Sequence, residues 1–255
     1  IGIDAFENAK TLSKVFLPHS ITTIKHSAFA GCSGIKSIDI YGTGITEIEE
    51  SAFTDCTSLS RITLPDSILT IGKTAFAGCT SLSMITLPDL ILTIGESAFA
   101  GCSNLEQFVF PTIVSLNFTI GKHAFVGCKS LSTINLPSGL TKIDEYTFNG
   151  CTSLTTITLH ESIKEIAQYA FANSGLTSID VSNTSVTTIQ KYAFSECTSL
   201  TTITLPDKLE TIYGYAFYKC TSLSTITLPN SLKGTIGKYA FAGSGVTSIN
   251  MSNTS

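Results

Sequence analysis

The sequence predicts an α/β solenoid, one stack of about eleven coils of roughly 23 residues that occupies positions 1–255 as a single domain. Three observations carry this expectation. Phenylalanine recurs at Phe6, Phe29, Phe53, Phe76, Phe99, Phe125, Phe148, Phe171, Phe194, Phe217 and Phe241, at spacings of 23 to 26 residues. An apolar pair with period-two spacing follows nine and eleven residues after most of them, as in Ile62/Leu64, Ile85/Leu87 and Ile203/Leu205. All seven prolines then fall in the next slot, at Pro18, Pro65, Pro88, Pro111, Pro137, Pro206 and Pro229. Self-similarity at a fixed period of this length is the mark of stacked repeats.

Each element of the unit follows from its residues. The apolar pair reads as a short strand with those two side chains inward, because alternation with β-branched residues suits a half-buried strand. Proline ends that strand, since it fixes φ and has no N–H for the ladder. A column of isoleucines, from Ile24 to Ile236, lies five residues before each phenylalanine. Between it and the phenylalanine a short helical or 3₁₀ turn is expected. One coil cannot bury its apolar edge alone, but stacked coils join these columns into one core. The expansions at Gly44 and Gly234, and three extra residues within Thr112 to Thr119, all fall between strand and isoleucine column. That arc is expected to be an exposed loop.

Composition excludes several functions. The chain is 43% hydrophobic and 13% charged, and low charge with abundant Ile, Leu, Val and Phe is the opposite of a disordered composition, while 69 Ser and Thr residues do much of the solvation that charges usually do. A net charge of −4 with 15 Lys and Arg lacks the concentrated basic surface that nucleic acid requires. No apolar run approaches the roughly 18 residues of a membrane span, so no membrane insertion is expected within this segment. No charged-then-apolar leader opens the chain, and the expectation is a signal peptide absent or already removed.

The eight cysteines invite a disulfide reading, yet all lie three residues after a phenylalanine. Equivalent positions in stacked coils are about 4.7–4.9 Å apart with parallel side chains. A disulfide needs Cβ atoms near 3.8 Å with the side chains turned together. Ala9, Ser174 and Ser244 take the same slot, so free buried thiols are expected there. Without a CxxC or Cys/His pairing, neither zinc nor any other cofactor is expected.

The recurring Leu-Pro, Ala-Phe, Gly-Cys and Ser-Leu dipeptides, in phase over the whole chain, resemble the BspA-like leucine-rich repeat. The resemblance implies a curved solenoid with a parallel sheet on its concave side. It also implies a cell-surface or secreted protein that adheres to host proteins or other cells, and it supplies no catalytic residues. The chain starts and stops inside a unit, which is expected of a fragment of a longer protein or of uncapped ends.

Two surfaces are candidates for function. Outward strand positions include Phe16, Arg61, Met84, Gln107 and Val109 in the first half, and small hydroxyls such as Thr156/Thr158, Thr202/Thr204 and Thr225/Thr227 in the second. Threonine simply suits a solvated strand. Exposed apolar and Arg residues are the materials of a contact patch for a protein or glycan ligand. The Thr-x-Thr array also resembles some ice-binding solenoids. The second surface is an aromatic stripe two residues before the phenylalanine, with Tyr146, Tyr169, Tyr192, Tyr215 and Tyr239 preceded by His123. It reads either as a rim contact surface or as a cover for the core edge.

Enzyme motifs such as HExxH, GxSxG or a phosphate loop are absent, and no enzymatic activity is expected. Asp66, Asp89 and Asp207 follow prolines as turn-initiating residues would. Sequons at Asn117, Asn183, Asn250 and Asn253 allow glycosylation without arguing for it. The expectation is a non-enzymatic module that binds protein or glycan at a cell surface or outside the cell. An intracellular protein-interaction scaffold is the alternative.

Overall fold

The computed structural model describes residues 1–111 and 117–251, and for Met251 the backbone only. The chain is a parallel-strand β-solenoid. The eleven phenylalanines form ten consecutive stacked pairs with ring centroids 5.2–5.8 Å apart and planes within 2–10° of parallel. Eleven markers therefore bound about ten turns rather than eleven complete units. Phe29 through Phe217 are fully buried in this column. An offset stack at this spacing brings ring faces together in a geometry that aromatic pairs prefer.

Two ladders flank the ring column. The expected strands pair in parallel and in phase, with Ser37 opposite Arg61 and Ile38 opposite Ile62. Likewise Met84 faces Gln107 and Thr86 faces Val109. A second ladder was not expected. It consists of two-residue strands at the isoleucine column, where Ile48, Ile71, Ile94 and Ile120 align in succession. After Lys142–Ile143 the same column continues through Ile166, Ile189 and Ile212.

The helical or 3₁₀ turn is corrected. Among the described residues there is no helix, and the segment around each phenylalanine is a run of turns. The residues two before and two after the phenylalanine adopt positive φ, 51–60° at the first position and 55–72° at the second. A left-handed residue every fourth position prevents i→i+3 bonds from propagating. Alternate N–H groups point along the solenoid axis instead. Phe29 N–H donates to Ala52 O and Gly31 N–H to Thr54 O in the next coil, while Ala30 N–H donates back to Ser27 O.

All eight cysteines are free and buried. Each S–H donates to the phenylalanine carbonyl of the preceding coil at 3.0–3.2 Å, as Cys102 does to Phe76. Burial pushes the thiols up, to about 12 at Cys56 and Cys151 and about 11 at Cys197. The expansions at Gly44 and Gly234 are exposed, as expected of loops. Of the stretch Thr112 to Thr119, residues 112–116 lie outside the described residues. The coil resumes with buried Phe118, and Phe108 stands edge-on to both Phe99 and Phe125 where the ring spacing is widest, at 5.8 Å.

Candidate functional site

The first ladder is interrupted, and its interruptions shape the surface. Its strands form hydrogen-bonded groups that end at Arg61–Thr63 and begin again at Met84–Thr86; a later break separates Thr202–Thr204 from Thr225–Leu228. An open depression of about 380 Å³ lies at the first break, and Arg61 and Met84, which hold equivalent positions in successive coils, both line it. Tyr41, Asp66 and Asp89 complete its rim. A second depression of about 360 Å³ lies at the later break, lined by Thr202, Thr204, Thr225, Thr227 and Asp207.

Strand alternation places the expected outward residues on the surface. Phe16 is 89% exposed, Met84 47% and Val109 43%, and Arg61 and Gln107 are exposed beside them. Arg61 has no carboxylate within ion-pair distance among the described residues, although Asp39 lines the same shallow hollow beside it. Met84, Gln107 and Val109 adjoin across paired strands. Phe16 stands apart, opposite Asp39, two strands from Arg61. Tyr41 is an addition that the sequence reading missed. Tyr41 occupies the proline slot of a unit that lacks its proline, and it is 56% exposed.

The tyrosine stripe forms one continuous stack. His123, Tyr146, Tyr169, Tyr192 and Tyr215 lie 4.5–4.7 Å apart, ring to ring, with planes within 8–19°. Tyr239 is tilted by 45° against Tyr215 and is 48% exposed, whereas the other four tyrosines are half-buried. From Tyr146 to Tyr192 the ring faces are therefore consumed within the stack, and ring edges and hydroxyls make up the rest of each side chain's surface. Burial raises the Tyr169 hydroxyl above its ordinary value, followed by the neighbouring phenols of Tyr146 and Tyr192. Lys191 Nζ sits 5.1 Å from the Tyr192 ring centre and 5.9 Å from that of Tyr215. Lys238 lies 4.8 Å over Tyr239, and Lys219 5.1 Å over Tyr218. Among the described residues no His, Cys, Asp and Glu side chains converge as metal ligands, and no helix is long and apolar enough to cross a membrane.

The model of the BspA type leucine rich repeat region matches residues 1–117 and 118–248. The chain belongs to the BspA-type leucine-rich repeat family. A leucine-rich repeat protein from Bacteroides ovatus is 31% identical, with a TM-score of 0.86 over 99% of this chain and 63% of its own. The chain thus spans 63% of the length of that relative. The T. pallidum leucine rich repeat protein is 27% identical over 81% of this chain and 87% of its own, with a TM-score of 0.56. No curated protein matches the chain. Membership of this family is consistent with a repeat module that binds other molecules.

Proposed function

We propose that this BspA-type chain is a non-enzymatic recognition module whose main ligand is a protein, held against the first half of the first ladder. The observation that carries the reading is the setting of Arg61 and Met84. A guanidinium with no ion-pair partner among the described residues and a half-exposed thioether stand in equivalent slots of successive coils and line one open depression together with Tyr41. Arginine and aromatic residues beside apolar surface are the usual anchors of protein interfaces. Exposed large hydrophobics gather in the same half, at Phe16, Tyr41, Leu69, Met84, Leu90, Leu92 and Val109. Between residues 110 and 230 Tyr213 is the only one among the described residues. A depression this open suits a protruding partner side chain better than an enclosed small molecule.

The family resemblance supports a place at the cell surface or outside the cell, with host or neighbouring-cell proteins as the partner class. The Tyr146–Tyr239 column is the second surface of the module. Biolayer interferometry against a panel of purified extracellular and cell-surface proteins tests the main site. A partner that loses at least about tenfold in affinity to an Arg61→Glu, Met84→Asp double variant supports it. Undiminished affinity in that variant, with the fold intact by circular dichroism, retires it.

A further inference from the structure

We infer that the tyrosine–lysine face of residues 191–239 is a separate binding surface for an acidic polysaccharide, carboxylated or sulfated. This deepens the reading of the tyrosine column as a contact surface and is independent of the Arg61 patch. Charge is the first argument. From residue 190 onward the chain carries five lysines and three carboxylates, net +2, within a chain of net −4. Lys25, Lys122, Lys142 and Lys219 are each within ion-pair distance of a carboxylate. Lys191 and Lys238 have no such partner among the described residues, and their ammonium groups lie 5.1 Å and 4.8 Å from the Tyr192 and Tyr239 ring centres instead. An ammonium has donors only and a phenol can donate as well, so this face suits a ligand rich in acceptors and negative charge.

Ring geometry narrows the class. A neutral sugar held mainly by stacking needs a free aromatic face; on this surface Tyr192 is covered on both sides by neighbouring rings and Tyr239 lies under the Lys238 ammonium, which leaves Tyr213 as the one unstacked ring among the described tyrosines there. The column offers instead a line of hydroxyl groups along the solenoid axis, with ammonium groups beside it. Tyr213 adds one ring that stacks on none of the described residues; it is 46% exposed, and Gly237 holds its slot in the next coil. An extended acidic peptide fits less well. Its same-side residues repeat about every 6.6–6.8 Å, out of step with rings 4.5–4.7 Å apart. A peptide also gains most from adding to a sheet edge. Here the column's N–H groups are already donated to the next coil, Tyr192 to Gly214 O and Tyr215 to Lys238 O. A polysaccharide brings hydroxyls and acid groups with no backbone N–H to satisfy.

The test is titration of the 255-residue chain with dextran sulfate, alginate, unmodified dextran and poly-glutamate at low salt. Binding to dextran sulfate or alginate, weakening as salt rises, with none to dextran, is the expected result. A Lys191→Gln, Lys238→Gln variant should bind about tenfold more weakly. A Tyr192→Phe, Tyr215→Phe variant keeps the stack, and so the fold, but removes two hydroxyls; it should lose about threefold. Arg61→Glu, Met84→Asp should leave polysaccharide binding unchanged, which separates the two surfaces. Failure of both acidic polysaccharides to bind, or unchanged affinity in the lysine variant, overturns the inference. Equal binding of poly-glutamate also overturns it, because the face would then recognise charge alone.

Discussion

Replacing one stacked phenylalanine by alanine should cost very different amounts in the middle and near the start of the solenoid. Phe148 is fully buried and stacks on Phe125 at 5.5 Å and on Phe171 at 5.6 Å. Removing its ring leaves a cavity bounded by two coils, and Phe148→Ala should lose about 3–5 kcal/mol. Phe6 is 43% exposed and, among the described residues, stacks only on Phe29, at 5.2 Å. It buries little more than half of its surface and makes one ring contact, so Phe6→Ala should lose about 1–2 kcal/mol. Urea unfolding followed by far-UV circular dichroism reads both losses as shifts in midpoint. A thiol reagent adds location: in Phe148→Ala, Cys128 and Cys151 should become reactive at a urea concentration that leaves Cys56 protected. Equal losses for the two variants, or simultaneous release of all eight thiols, would refute a stack in which each coil leans only on its neighbours.

The buried thiols make stability depend on alkaline pH. Because burial raises them above the ordinary value of 9.0, the unfolded chain ionises first, so their contribution is complete below about pH 9 and falls as pH climbs towards about 12 at Cys56 and Cys151. Each thiol should remove about 1.4 kcal/mol per pH unit in that window; denaturant titrations at stepped pH should show the slope, and Cys151→Ser should flatten it. Glu196 and Lys219 hold φ of 59° and 55° where other coils place Gly78, Gly101 or Gly127. Changing both to glycine should raise stability by about 1 kcal/mol in total after loss of their 3.4 Å ion pair, and a lower thermal midpoint would contradict the strain argument.

The phenylalanine register was legible because one bulky residue type keeps its phase through every loop expansion. Cysteine chemistry was legible for the same reason: a slot that accepts Ala9 or Ser174 as readily as Cys56 is a packing position. The second ladder was not. A two-residue strand such as Thr93–Ile94 is too short to show alternation. The left-handed turns were hidden because Ser97, His123 and Tyr146 stand where glycine would have signalled positive φ. At the candidate site, period two correctly placed Arg61, Met84 and Val109 outward. The ladder break between them was invisible, since the flanking units read SLSRITLPD and SLSMITLPD and differ by one residue. Tyr41 did carry a signal, as an aromatic residue in the proline column.

The tyrosine column raises a question of cause that the backbone helps to answer. Its slot holds φ of 51–60° whether the residue is Asp4, Ser51, Thr74, His123 or Tyr192. Left-handed geometry costs an ordinary residue about 1–2 kcal/mol, and the cost falls on every coil alike. It is imposed by N–H groups that must reach the next coil, not by the side chain. Small residues already satisfy the slot: Ser51 and Thr74 join through their hydroxyls at 2.8 Å. Five successive tyrosines therefore exceed what this backbone demands. Stacking adds cohesion between coils, but cohesion alone does not require the lysines that stand beside Tyr192 and Tyr239 with no carboxylate partner among the described residues. A column free to vary without disturbing the core is where a repeat protein can acquire a binding surface, and the aromatic and basic residues coincide there.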